Sequence, residues 1–99
     1  MFDEDNLSAL DTINDFLRFA LTVFNQNDLF YGHGTDNSWD EAVSLVLGML
    51  SLPWDVDKGL LNGRLTANEK GDLVRAIQRR VIDRVPVPYI TGTSWFMGL

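Results

Sequence analysis

Three stretches of this chain repeat their apolar residues at steps of three and four, and that period commits each of them to an amphipathic helix. In the first, Leu7, Leu10, Ile13, Leu17, Leu21 and Phe24 recur in this way, and Phe16, Ala20 and Val23 widen the stripe. The spacing predicts one helix over about residues 6–25, ending near Asn25-Gln26-Asn27. Asp3, Glu4, Asp5 and Asp11 cluster toward its start, where negative charge complements the helix dipole. The second stretch carries Ala42, Leu45, Val46 and Met49 and is stopped at Leu52-Pro53, because the residue before a proline is pushed out of the α region. The third carries Leu73, Val74, Ile77, Val81 and Ile82 as far as Arg84 or Val85.

The starts of the later helices have a local signature. Ser38-Trp39-Asp40-Glu41 and Thr66-Ala67-Asn68-Glu69 both have capping-box spacing, in which a hydroxyl accepts the backbone N–H three residues on and the carboxylate reaches back. Between Trp54 and Arg64 the pattern is short and interrupted by Gly59 and Gly63, enough for one or two turns around Leu60 and Leu61. After Pro86 and Pro88 the residues Tyr89-Ile90-Thr91 and Thr93 to Met97 are rich in aromatic and β-branched types, which reads as a strand. Nothing upstream alternates with a period of two, so this strand is expected to lack a partner within the chain. The expected architecture is therefore all-α: a small bundle of three long helices plus one or two short ones, closed by the first part of a β-hairpin. Residues 1–85 are expected to form the helical domain and 86–99 a linker and the hairpin segment.

Ninety-nine residues with 45% apolar content supply one domain-sized core. The absence of cysteine excludes disulfides, thiolate nucleophiles and Cys-containing zinc sites, and His33 is the only histidine, so no metal site is expected. No apolar run reaches the roughly 18–20 residues of a membrane span, and the first residues are acidic where a signal peptide is basic. A soluble cytoplasmic chain with no membrane contact is expected. The net charge of −6 is unevenly spread. Residues 1–57 hold eleven acids and one base (Arg18), a charge of −10, and residues 58–99 hold three acids and seven bases, a charge of +4. The acidic half suits a basic partner and speaks against direct nucleic-acid binding, although a merely solvated surface is the simpler reading.

Chemistry-bearing patterns are few. Gly32-His33-Gly34 lacks the third glycine of a nucleotide-binding Gly-x-Gly-x-x-Gly, since position 37 is asparagine, and no strand precedes it. Carboxylate pairs such as Asp36 with Asp40 and Asp55 with Asp57 read more simply as solvated acids and caps than as acid/base pairs. Arg75, Arg79, Arg80 and Arg84 form a basic flank on the last helix, which can pair with the chain's own acids or fork onto a partner's carboxylate or phosphate. Trp39 and Trp54 sit beside apolar helix ends and read as core or rim residues. Trp95, with Phe96 and Met97, lies in an apolar end that the visible chain gives nothing to bury.

The run from Phe30 to Val43, with its core Tyr31-Gly32-His33-Gly34-Thr35-Asp36-Asn37, closely resembles the amino-terminal region of the bacterial protein-glutamine methyltransferases. These enzymes modify ribosomal protein uL3 or the Gly-Gly-Gln tip of peptide-chain release factors. Arg64-Leu65-Thr66 with Glu69-Lys70, and Arg84-Val85-Pro86-Val87-Pro88-Tyr89-Ile90-Thr91, are similar to the same family's last helix of that region and its connection to the catalytic domain. The resemblance extends over essentially the whole chain and is closest to the branch acting on uL3. It implies a helical amino-terminal domain, then a hairpin, then a domain that binds S-adenosylmethionine and holds the glutamine amide with an Asn-Pro-Pro-Tyr motif.

This chain has prolines only at 53, 86 and 88, none adjacent, so that motif is not in it. No catalytic, cofactor-binding or metal-binding residue is expected here, and the chain alone is expected to be inactive and to end within the hairpin. The resemblance implies uL3 and the enzyme's own catalytic domain as partners. The loop Tyr31, Gly32, His33, Gly34, Thr35, Asp36 and Asn37 is the expected surface for substrate or domain docking. A packed helix connection, with Phe30 and Tyr31 under the bundle, is an equally simple reading of the same loop. Two other classes stay open: a non-enzymatic helical adaptor, and the amino-terminal domain of a nucleic-acid adenine methyltransferase.

Overall fold

The computed structural model describes residues 4–27, 37–53 and 55–92. Over these residues the chain is all-α, with five α-helices, one 3-10 segment and no strand. The helices are α1 (Glu4–Ser8), α2 (Ile13–Gln26), α3 (Ser38–Met49), α4 (Ala67–Val81) and α5 (Val87–Thr91), and the 3-10 segment, Lys58–Asn62, lies between α3 and α4. Among the described residues, no helix is long and apolar enough to cross a membrane.

The core sits where α2, α3 and α4 meet. Phe16, Leu17, Ala20, Val23 and Phe24 of α2 face Ala42, Leu45 and Val46 of α3 and Leu73, Ala76, Ile77 and Val81 of α4. Side chains of the size of Phe16 and Leu45 each contribute about 1.5–3 kcal/mol when fully removed from water. The expected stripes are thus borne out except at Leu7, which lies outside the core cluster, and Ile82. Ile82 is 64% exposed, because α4 ends at Val81 and the chain turns outward at the cap.

The first predicted helix is two helices. Its apolar period continues across residues 9–12, but Thr12 adopts an extended conformation and caps α2, forming a capping box with Asp15. The Asp15 carboxylate accepts from the Asp11 and Thr12 N–H groups at 2.9 and 3.0 Å. The break is held by residues far along the chain. Leu65 N–H donates to the Asp11 carbonyl (2.8 Å), Ile13 N–H to the Gly63 carbonyl (3.3 Å), and Asn14 Nδ2 to Asn62 Oδ1 (2.9 Å). Lys70 Nζ meets Asp11 Oδ1 at 2.8 Å. Backbone groups exposed by interrupting the helix are satisfied by the 62–65 segment, which a continuous helix would leave unpaired.

The second helix starts one residue early. Asn37, not Ser38, is its cap, with Asp40 N–H donating to Asn37 Oδ1 at 2.9 Å. Asparagine caps as well as serine does, and moving the cap releases Glu41 from a capping role to the interior. The helix closes with Leu52 N–H bonded to the Leu47 carbonyl (2.9 Å) and Ser51 N–H to the Gly48 carbonyl (3.2 Å), the Schellman pattern. Ser51 takes the left-handed conformation that this closure requires (φ 60°). The Thr66–Glu69 capping box forms as expected.

The extended segment predicted at Tyr89-Ile90-Thr91 is instead the short helix α5. Pro86 is its cap and Pro88 lies in its first turn, where a missing N–H costs nothing and a fixed φ favours the helix. Gly92 ends it with φ 69°. Val87 is buried, and α5 packs on α3 and α4. The remainder of the expected hairpin segment, 93–99, lies outside the described residues.

Candidate functional site

Of the loop residues singled out in the sequence, Tyr31, Gly32, His33, Gly34, Thr35 and Asp36 lie outside the described residues, as do Trp54, Trp95, Phe96 and Met97. Asn37 is described, and its side chain caps α3. The structure defines both anchors of the loop. On the near side, Asn27 closes α2, and its Nδ2 donates to the Val23 carbonyl at 2.6 Å. Its own carbonyl accepts from Arg84 Nη1 at 3.2 Å. α2 has no basic residue in its last turn, so Arg84, brought in by a left-handed backbone conformation (φ 59°), supplies the cation that the helix C-terminus favours.

On the far side, the first turn of α3 carries Glu41, whose carboxylate is ion-paired with the Arg80 guanidinium from the last turn of α4. Glu41 is 3% and Arg80 4% exposed. A charge pair this deep is held by mutual neutralisation. Of the four arginines read as one basic flank, the structure therefore separates three roles. Arg80 is an internal strut, Arg75 pairs with Asp72 at the surface, and Arg84 ties the end of α4 to the end of α2. Pairing within the chain, the simpler reading of that flank, holds for Arg75 and Arg80.

A second feature went unnoticed in the sequence. An open groove of about 530 Å³ runs between α2, α3 and the 3-10 segment. Leu17, Val43, Leu47, Val56 and Leu61 supply apolar lining, Trp39 stands beside them 49% exposed, and Asp40, Asp55 and Lys58 are charged lining residues. Trp39 is thus a rim residue. The signal available in the sequence was Trp39 next to Asp40 at a helix start, but only the docking of Val56 and Leu61 turns that into a concavity.

Two carboxyls near the start of α2, those of Asp11 and Asp15, have their acidity shifted by their neighbours. Lys70, by hydrogen bond and charge, holds the Asp11 carboxyl below its usual range. The backbone N–H groups of Asp11 and Thr12 do the same for Asp15. Among the described residues no three His, Cys, Asp or Glu side chains come together as a metal site.

These features define a helical module with an open, acid-rimmed groove at the first turn of α3. Two curated relatives put that module in context. The chain is 45% identical over 86 residues to the ribosomal protein uL3 glutamine methyltransferase of Neisseria gonorrhoeae, and 44% identical over 86 residues to that of Neisseria meningitidis serogroup B. Each match covers 87% of this chain and 29% or 28% of the relative. The chain spans under a third of the length of these relatives. No family model and no solved structure matches it.

Proposed function

We propose that this chain is the amino-terminal, substrate-presenting domain of an S-adenosylmethionine-dependent methyltransferase that acts on a glutamine side-chain amide of ribosomal protein uL3. The observation that carries the reading is the 45% identity over 87% of the chain to an enzyme of that name. In this reading residues 1–85 with α5, which packs on α3 and α4, are the recognition domain, and the residues after α5 lead to a catalytic domain that lies outside this chain and docks against it. The enzyme works in the cytoplasm on a protein substrate.

An amide nitrogen is a weak nucleophile because its lone pair is delocalised into the carbonyl. Methyl transfer to it therefore depends on orientation, and binding energy gathered away from the reacting atoms can supply that orientation. The residues of this chain do not fit S-adenosylmethionine. At the position where a Gly-x-Gly-x-x-Gly loop needs its third glycine stands Asn37, whose side chain is committed to capping α3. The chain's role is to bind and present, with the loop from Tyr31 to Asn37 as the contact or docking surface and Asn27, Arg84 and Asn37 holding its ends.

Transfer of a tritiated methyl group to uL3 tests this. The full-length enzyme is expected to be active, residues 1–99 alone inactive, and the full-length Tyr31→Ala/His33→Ala variant strongly impaired in KM. Unchanged methylation by that variant refutes the role of the loop. Absence of uL3 methylation by the full-length protein refutes the enzyme reading and favours a helical adaptor.

A further inference from the structure

The groove beside Trp39 is lined by residues other than Tyr31 to Asn37 and has no part in the reading above. Its floor is apolar, and it is roomy enough for one large side chain and its flanks, within the range of about 300–1,000 Å³ common for binding clefts. The indole of Trp39, 49% exposed at the edge of this floor, presents an apolar face to an incoming side chain. Tryptophan in a partly enclosed position is also the residue type that most often anchors protein contacts.

The charge around the groove is selective. Asp40 and Asp55 line it, Asp57 falls between the lining residues Val56 and Lys58 in sequence, and all three acids are exposed. Lys58 is the one base in the lining, so the acids outnumber it. Asp55 makes no ion pair within the described structure and is available to a partner. The contrast with another groove among the described residues is informative. That one, about 630 Å³ beside α1 and α2, is lined by Asp15 and Arg18, whose charges balance, and Asp15 is already used in the cap of α2.

We infer that the Trp39 groove is a docking site for an extended segment of the protein substrate, one that places a large apolar side chain against Trp39, Val43 and Leu47 and a neighbouring Lys or Arg against Asp40 and Asp55. The inference rests on the proposal that the domain presents a ribosomal protein. Such proteins neutralise RNA phosphates with Lys and Arg, and so bring basic segments to an acidic rim. The groove opens at the first turn of α3, where Trp39 and Asp40 follow the cap Asn37. The apolar floor supplies the grip, and the acids select the sign and orientation of the segment.

The test is a titration of purified uL3 against the full-length protein and three of its variants, followed by fluorescence anisotropy of labelled uL3, with circular dichroism confirming the fold. Asp55→Lys, on an exposed connection, and Trp39→Ala, at a half-exposed site, are each expected to weaken binding about tenfold. Asp72→Lys, outside the groove, is expected to leave binding unchanged. Equal binding by the two groove variants and the parent overturns the groove assignment while leaving substrate presentation intact. Equal weakening by Asp72→Lys and Asp55→Lys also overturns it, because diffuse charge then explains the attraction. Absence of binding by the parent overturns the presentation reading, and the groove proposal falls with it.

Discussion

Replacing Arg80 with leucine strips Glu41 of the guanidinium that neutralises it in the interior. Both side chains are almost fully buried, and the pair joins the first turn of α3 to the last turn of α4. Leaving one charge unpaired in such a place costs about 3–5 kcal/mol, against about 0–1 kcal/mol for an exposed pair. Arg75 with Asp72, both more than half exposed, is the internal reference for the exposed case.

A domain of this size is stable by about 5–15 kcal/mol in total, so Arg80→Leu removes a large share of it. At about 4–8 °C per kcal/mol the melting midpoint falls by more than ~10 °C. Urea unfolding followed by circular dichroism measures the difference directly. Replacing both partners, as Glu41→Leu with Arg80→Met, is expected to recover most of the loss, because well-packed apolar groups replace a buried ion pair at little or no cost. A loss below ~1 kcal/mol for Arg80→Leu refutes the reasoning and means that water reaches the pair. A double variant as unstable as the single one refutes the part of the argument that rests on uncompensated charge.

Ser51→Gly is expected to stabilise the domain by about 0.5–1 kcal/mol, since the left-handed conformation at the end of α3 strains every residue with a Cβ; a lower melting midpoint refutes this. The depressed pKa values of Asp11 and Asp15 add stability that is present above their unfolded values near 4 and lost as pH falls through the lower folded values. Thermal melts should therefore show a declining midpoint below about pH 4, with a shallower decline in Asp11→Asn/Asp15→Asn. An equal decline in parent and variant refutes the assignment.

The parts of the fold legible in the sequence are those with local causes. α4 is readable because the Thr66–Glu69 box and the stripe from Leu73 to Val81 act within a few residues. The interior of α2 is readable for the same reason. The Thr12–Asp15 box was equally local, but the uninterrupted period of Leu7, Leu10 and Ile13 concealed it. What makes the break worthwhile is the backbone of Gly63 and Leu65, some fifty residues on. Asn37 and Ser38 are near-equal caps, and the choice between them falls to Glu41 and its pairing with Arg80 across the core. The run from Tyr31 to Asn37 was conspicuous in the sequence. The contact of Arg84 with Asn27 beside it was not, because the two meet across 57 residues of chain.

By itself the sequence determined that this chain is a small helical domain, which residues make up most of its core, and that its charge divides into an acidic half and a basic helix. Period, capping chemistry and composition act over one or two turns and need no partner. The tertiary structure decided where the first helix breaks and which arginine is interior. It turned the proline-rich segment into α5 and raised the walls of the groove beside Trp39. Each of these depends on a hydrogen bond, ion pair or apolar contact between residues remote in sequence, whose energy exists only once the helices have packed.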